Sequence, residues 1–216
     1  MAYGAGLQRL NPCEDALVLG LLRKFCPAPG TVLDAGCGRG DRLAALSEAL
    51  PETALYGLDA DGENAAAARQ RCPTAEIAAA GMEAIPWAAA KFDAALCECT
   101  LSLTDAPERC LRELGRVLRP GGVLLLGDLC LPDSGEPVVL PGNGTVRRLF
   151  SRSWLEAAAD AAGFSLLQYA DCREALVTMA AQMILDGSFC RCLDGGAAAA
   201  LRQYRAGYGL WIFEKR

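Results

Sequence analysis

The chain has 216 residues, of which 52% are hydrophobic and 22% are charged, and this composition is typical of one globular domain with a full core. Its formal net charge is −5, which argues against nucleic acid as a substrate because an acidic surface does not attract phosphate backbones. Histidine is absent, so the usual general base and the usual zinc ligand are missing, and we expect neither a hydrolase triad nor a metal site.

The N-terminal sequence has no basic region followed by a long apolar run, and no stretch approaches about 20 uncharged apolar residues. We therefore expect a cytoplasmic protein without a signal peptide or a membrane span. The 11 cysteines are irregularly spaced and form no CxxC pair, so we expect most of them to be small buried residues in a reducing compartment.

Short apolar runs alternate with helical patterns along the chain, and Pro and Gly separate them. We predict helices at residues 12–25, 41–50, 64–71, 107–118 and 153–162, and strands at residues 31–35, 54–58, 76–79, 92–97, 123–128, 164–170 and 209–214. Residues 131–146 are predicted to form a loop, and residues 172–206 are predicted to be mostly helical. This alternation implies a doubly wound α/β fold with a mostly parallel, seven-stranded sheet and an antiparallel C-terminal edge.

The most informative motif is VLDAGCGRGD, at residues 32–41, which joins the first predicted strand to a helix. Its glycines allow the backbone to pass close to a ligand, and the helix start presents free N–H groups. A dinucleotide site would need Gly or Ala at position 41, but this chain has Asp41, whose carboxylate would oppose a pyrophosphate. Acids beside the loop, including Asp34, instead suit a ligand that carries a positive amino group, which argues against NAD.

A second motif, GLDAD at residues 57–61, places Asp59 at the end of the second predicted strand. A carboxylate at this point can accept hydrogen bonds from both hydroxyls of a ribose. The alternative is an ordinary helix cap, because Asp61 directly precedes a predicted helix.

Taken together, these residues resemble the class I methyltransferase family over about residues 30–170. The segments AAGMEAIPWAAAKFDAAL (residues 79–96) and LRELGRVLRPGGVLLLGD (residues 111–128) resemble later segments of the family in the same order. The resemblance implies a Rossmann-like methyltransferase fold that uses S-adenosylmethionine and releases S-adenosylhomocysteine.

The resemblance also implies the cofactor-binding residues. Asp34 and the backbone of Gly36, Cys37, Gly38 and Gly40 would hold the methionine part, and the backbone of Cys97 would meet its amino group. Asp59 would hold the ribose, Ala60 and Met82 would flank the adenine, and Glu83 would buttress the loop. Many relatives carry an acid at the position of Gly81 that binds the adenine amino group, and this chain lacks it.

The methyl acceptor is less defined. A hydroxyl or amine acceptor would often need a base, and the candidates are Glu98, Asp105, Asp128 and a tyrosine such as Tyr3. A thiol, or a soft metalloid held by thiolates, would need none. In arsenite methyltransferases a cysteine that binds trivalent arsenic occupies the place of Cys99, and Cys190 and Cys192 could add sulfur ligands. The alternative is that these cysteines are buried or incidental.

We therefore predict one methyltransferase domain at residues 1–216, in which residues 1–29 and 172–206 form a candidate cap over the acceptor site. The stripe of Leu176, Met179, Met183 and Ile184 in the second segment is otherwise explained by core packing. The main hypothesis is a small-molecule methyltransferase with Glu98 and Cys99 as candidate catalytic residues. The alternatives are a metalloid or thiol methyltransferase and a non-catalytic protein that binds S-adenosylmethionine. The acceptor and the oligomeric state stay open.

Overall fold

The computed structural model describes residues 11–132, 135–140, 146–185, 199 and 201–216. Its helices are α1 (Asp15–Phe25), α2 (Asp41–Ala49), α3 (Gly62–Arg71), α4 (Pro107–Val117), α5 (Arg152–Ala161) and α6 (Arg173–Leu185). Its strands are β1 (Thr31–Ala35), β2 (Ala54–Asp59), β3 (Glu76–Ala79), β4 (Phe92–Glu98), β5 (Leu118–Leu131), β6 (Val138–Val139), β7 (Arg148–Ser151), β8 (Phe164–Asp171) and β9 (Gly207–Lys215). Short 3₁₀ turns lie at Met82–Ala84 and Leu101–Leu103.

The strands form one mostly parallel sheet in the order β3-β2-β1-β4-β5-β7-β6. The first five of these strands pair in parallel, whereas β9 is antiparallel to both β5 and β8. The predicted doubly wound α/β fold with an antiparallel C-terminal edge is therefore confirmed. The helices cover both faces because each βαβ unit crosses from one parallel strand to the next.

The sheet has nine strands among the described residues, two more than the seven predicted. The additional strands are β6, which lies inside the predicted loop at residues 131–146, and β7. The two-residue β6 pairs with β7, and β7 joins β5 at Cys130 and Leu131. Such short segments contain too few residues to show the alternation by which a strand is recognised in a sequence.

The sheet is buried on both faces, as expected for a mainly parallel sheet. All seven residues of β4 are buried. One face packs against α4 and α5 through Phe92, Leu111 and Leu155, and the other packs against α1 and α2 through Leu22 and Leu43. In α1, Val18, Leu21 and Leu22 are buried against the sheet, whereas Leu17 is exposed.

This topology places a crevice at the carboxyl ends of β1 and β4, where the strand order reverses. From β1 the chain adds β2 and β3 on one side, then returns to place β4 on the other side. Open parallel sheets bind ligands at such switch points. None of the helices in the described part of the chain is both long and apolar enough to cross a bilayer.

Candidate functional site

A glycine loop leaves β1 at the centre of the crevice and enters α2. Gly36, Gly38 and Gly40 all have positive φ angles, of 85°, 54° and 85°, which explains why glycine is needed at these positions. The N–H groups of Gly36 and Cys37 donate to the carbonyl oxygen of Leu58, so the loop is fastened to the end of β2. The Cys37 side chain is buried behind the loop, so only its backbone lies at the crevice.

The two faces of the loop differ in the space beside them. A β-carbon at Gly36 would overlap the side chain of Thr100, which follows β4 and covers this part of the loop. A β-carbon at Gly38 would meet nothing within 4 Å. The backbone around Gly38 is therefore open to a ligand.

Asp34 lies just before the loop, with only 4% of its surface exposed. Its Oδ2 atom has no hydrogen-bond partner among the described residues. Burial, aided by the neighbouring charge of Glu98, raises the pKa of Asp34 from 3.8 to about 7, and Arg42 partly opposes this shift. A buried carboxylate with an unused oxygen is a ready acceptor for a ligand cation.

Asp59 ends β2 beside the glycine loop and is fixed by backbone donors. Its Oδ2 accepts from the N–H of Gly38 at 2.9 Å, and its Oδ1 accepts from the N–H of Asp61 at 2.9 Å. Asp61 caps α3 by accepting hydrogen bonds from backbone N–H groups in its first turn. The helix cap that is the alternative explanation for this motif is therefore provided by Asp61 and not by Asp59. Because a carboxylate offers about four lone-pair positions, Asp59 keeps acceptor capacity for a ligand.

The remaining predicted cofactor residues extend from Asp59 towards the end of β3. Ala80 donates its N–H to the carbonyl oxygen of Asp59 at 2.9 Å, so the loop after β3 adjoins the end of β2. Met82 is buried and its Sδ lies 3.7 Å from Sγ of Cys97 in β4, while Ala60 is exposed. These residues line one continuous path along the carboxyl edge of the sheet.

Glu83 is half-buried, and its carboxylate folds back over Gly81. A β-carbon at Gly81 would lie 2.7 Å from Oε2 of Glu83. The backbone carbonyl oxygen of Glu83 accepts from Nε of Arg109 at 2.7 Å.

Arg42, in the first turn of α2, is buried and holds the carboxylate of Glu98 with two hydrogen bonds. Its Nε and Nη2 atoms lie 2.7 Å and 2.9 Å from the two Glu98 oxygens. The same guanidinium contacts Asp15 at the start of α1 and the carbonyl oxygen of Cys13. Glu98, a predicted catalytic candidate, is therefore engaged in a buried ion pair that connects α1, α2 and β4.

The other candidate bases are also engaged. Asp128 is fully buried at β5 and accepts from the N–H groups of Ser102 and Leu129, and burial raises its pKa from 3.8 to about 6. Asp105 is exposed and forms an ion pair with Arg147 at 3.5 Å. Tyr3 lies outside the described residues.

Cys99 follows β4 with a φ of 50°, and its thiol lies 3.4 Å from the hydroxyl of the buried Tyr208. Burial raises the pKa of Cys99, so its thiol is not activated. The thiols of Cys13 and Cys172, which are hydrogen-bonded to each other, lie in the same cluster. Cys190 and Cys192 lie outside the described residues. Over the described ranges, no three His, Cys, Asp or Glu side chains form a group suited to a metal ion.

The predicted cap is partly described. In α6, Met183 is buried and Leu176 and Met179 are half-buried, whereas the side chain of Ile184 lies outside the described part of the chain. The N-terminal residues from Cys13 to Asp15 are held at the carboxyl edge by Arg42. Whether these segments cover an acceptor stays a prediction.

The arrangement fits a nucleoside that ends in an amino acid. Asp34 offers an unused buried oxygen, the backbone at Gly38 is open, and Asp59 adjoins both. Residues 33–126 match the model of the methyltransferase domain family. This part of the chain is a class I S-adenosylmethionine-dependent methyltransferase domain. The match includes every predicted cofactor residue.

Known relatives support this assignment. The malonyl-acyl-carrier protein O-methyltransferase of Hahella chejuensis is 32% identical over 178 residues, which cover 80% of this chain and 61% of that protein. The trans-aconitate 2-methyltransferase of Azoarcus sp. strain BH72 is 38% identical over 97 residues, which cover 44% of this chain and 38% of that protein. The chain spans 38% and 61% of the lengths of the second and the first of these relatives, respectively.

Solved structures share the fold. Geranyl diphosphate methyltransferase bound to geranyl diphosphate and sinefungin superposes with a TM-score of 0.74 and 18% identity, covering 94% of this chain and 79% of that one. The cyclase SpnF superposes with a TM-score of 0.71 and 22% identity, covering 99% and 86% of the two chains. At these identities the likeness concerns the fold alone, which also carries a cyclase activity.

Arg42 and Thr100 are two residues of the site that the sequence interpretation missed. A signal for Arg42 was present, because a cation in the first turn of a helix opposes the helix dipole and therefore calls for a nearby acid. No pattern in the sequence indicated that Thr100 would cover Gly36.

We expect Arg42→Met to lower the free energy of unfolding by about 3–5 kcal/mol, because it leaves the Glu98 carboxylate buried without its cation. Urea denaturation measures this loss. The matched control is Arg71→Met, which removes the exposed ion pair with Asp41 and should cost less than about 1 kcal/mol. The double variant Arg42→Met with Glu98→Met should recover part of the loss. Equal, small effects for both single variants would contradict a structural role of the buried pair.

The raised pKa of Asp34 predicts that the ligand-free protein loses stability as the pH rises. Below about pH 4 this carboxyl is protonated in both states, whereas between 3.8 and about 7 the unfolded chain releases the proton and the folded chain retains it. The difference amounts to at most about 4 kcal/mol. Asp34→Asn should remove this contribution in denaturation curves recorded from pH 4 to pH 8. A variant with the same pH dependence as the wild type would show that Asp34 ionises normally.

Proposed function

We propose that this protein transfers a methyl group from S-adenosylmethionine to a small-molecule acceptor by in-line displacement. The observation that carries the proposal is the unused, buried oxygen of Asp34 beside the open glycine loop, with Asp59 at the end of the next strand. A cationic amino acid and a ribose diol are the two groups that these carboxylates would recognise.

The cofactor, when bound, supplies a methyl carbon already activated by a sulfonium. The protein then has to position both reactants and exclude water. Orientation of two reactants is worth roughly 7–11 kcal/mol of the barrier. In this chain, Asp34 would hold the amino-acid end of the cofactor and Asp59 its ribose, and Thr100 would cover the glycine loop at Gly36.

The acid groups near the crevice favour an acceptor that needs no base. Glu98 is paired with Arg42, and Asp128 is held by two backbone N–H groups. A carboxylate acceptor is already anionic at neutral pH. By their names, two relatives act on trans-aconitate and on a malonyl group, both of which are carboxylic acids. We therefore propose carboxylic acids as the first acceptors to test.

A soft acceptor is the second candidate. The observation that favours it is the position of Cys99, which follows β4 at the carboxyl edge of the sheet with its thiol 3.4 Å from the hydroxyl of Tyr208. Trivalent metalloids prefer such sulfur ligands. Cys99, with Cys190 and Cys192 as further candidate ligands, would hold the metalloid near the end of β4.

A non-catalytic protein that binds S-adenosylmethionine is the alternative from another class, since a fold does not determine a function. Formation of a methylated product in an acceptor screen distinguishes it from an enzyme. We also propose a cytoplasmic location, because nine free cysteines among the described residues suit a reducing compartment.

Asp59→Ala should weaken the binding of S-adenosylhomocysteine by about tenfold to a hundredfold, as expected for loss of a charge-assisted hydrogen bond. Titration calorimetry measures the dissociation constants. The matched control is Glu63→Ala, an exposed carboxylate in the first turn of α3, which should bind as the wild type does. Tight binding of NAD, without binding of S-adenosylhomocysteine, would contradict the proposed cofactor.

Cys99→Ser separates the two acceptor classes. We expect it to retain methyl transfer to a carboxylic acid, because Cys99 is a protonated thiol bonded to Tyr208. If arsenite is the acceptor, the same variant should lose activity because a hydroxyl is a poor ligand for arsenic. Mass spectrometry of the products measures both reactions, and Cys26→Ser is the control, since Cys26 is a buried cysteine that precedes β1 at the opposite end of the strands.

A further inference from the structure

The path of a bound nucleoside along the carboxyl edge can be followed from the strand order. Asp34 lies near the end of β1, just before the glycine loop. Asp59 is the last residue of β2, and the loop from Ala80 to Met82 follows β3. These strands are consecutive neighbours in the sheet. With the amino acid at Asp34 and the ribose at Asp59, the base would lie against the loop after β3. Met82 supplies a buried apolar side chain there.

A purine with an exocyclic amino group needs a hydrogen-bond acceptor at this point, and Gly81 has no side chain. The nearest carboxylate oxygen is Oε2 of Glu83, 2.7 Å from the position of a β-carbon on Gly81. In aspartate, the carboxylate oxygens lie about 2.4 Å from the β-carbon by standard covalent geometry. Oε2 of Glu83 therefore lies at the distance from this backbone that an aspartate oxygen at position 81 would have.

The contacts of Glu83 leave its carboxylate available. Arg109 is bonded to the carbonyl oxygen of Glu83 rather than to the carboxylate. The thiol of Cys110 is hydrogen-bonded to the carboxylate, which has further lone pairs to offer. Glu83 is half-buried and borders an open surface depression between the 3₁₀ turn and α4, together with Ala84, Arg109, Arg112 and Glu113.

We infer that Glu83 is the specificity-determining residue for the base of the cofactor, because its carboxylate replaces the missing side chain at Gly81 and accepts the exocyclic amino group of adenine. The inference rests on the proposed function of the site as a binding site for S-adenosylmethionine. It assigns to Glu83 a contact with the ligand in addition to its predicted support of the loop.

The test compares the dissociation constants of S-adenosylhomocysteine and of its analogue with purine in place of adenine, which lacks only the amino group. The wild type should prefer the adenine form by about tenfold to a hundredfold. Glu83→Ala should reduce this preference to near unity, and Glu83→Gln should retain part of it because its amide oxygen can still accept. Glu108→Ala, an exposed glutamate in the first turn of α4, is the control and should keep the full preference.

An exchange of the two positions gives the strictest test. Gly81 has φ −80° and ψ 154°, which any residue can adopt, so aspartate is compatible with its backbone. The double variant Gly81→Asp with Glu83→Ala should restore the preference for the adenine form. An unchanged preference in Glu83→Ala, an equal loss of affinity for both ligands, or a wild type without any preference would overturn the inference. A wild type that binds neither ligand would instead overturn the proposed function.

Discussion

The buried guanidinium of Arg42 is the interaction on which the arrangement of the crevice depends. It is only 3% exposed, and it joins Glu98 at the end of β4, Asp15 at the start of α1 and the carbonyl oxygen of Cys13. A cation in the first turn of a helix is disfavoured by the helix dipole, and a buried charge without a partner is costly. Arg42 therefore requires these acids, and the acids require Arg42. The contacts of Arg42 with Asp15 and with the carbonyl oxygen of Cys13 fix the N-terminal segment against the carboxyl edge of the sheet.

The same charges set the electrostatics of the cofactor residues. Asp34, Asp59 and Glu98 place three acids within one crevice, and the guanidinium of Arg42 compensates only part of their charge. Burial and its acidic neighbours raise the pKa of Asp34 to about 7, so about half of this carboxyl is protonated at neutral pH. A ligand cation next to Asp34 would reverse the effect and favour the ionised form. The acids in the crevice repel one another. A ligand with a positive group and no phosphate would reduce this repulsion.

The sequence predicts most of this site because its signals are local. The spacing of Gly36, Gly38 and Gly40 requires positive φ angles, and all three have them. The acids at the ends of β1 and β2 follow from the same pattern. The partners of Arg42 could not be predicted, because Asp15, Arg42 and Glu98 come from three elements that only the tertiary fold brings together. Likewise, Gly81 shows in the sequence that the acid of many relatives is missing. The sequence does not show that the carboxylate of Glu83 lies over Gly81, because this depends on the conformation of the Glu83 side chain.

The family match covers residues 33–126. It therefore distinguishes the part of the chain that is shared with the family from the parts that lie outside the match. Residues 33–126 contain the glycine loop, Asp59, Met82 and the end of β4, which carry the predicted cofactor residues. Asp128 in β5, Tyr208 in β9, and Cys13 and Cys172, which precede α1 and α6, lie outside this range. Tyr208 and Asp128 contact Cys99 and Ser102, which follow β4. Because cofactor and acceptor must meet in line, residues from outside the matched range that adjoin the end of β4 can distinguish one acceptor from another. We therefore expect the acceptor to be selected mainly by residues outside the matched range.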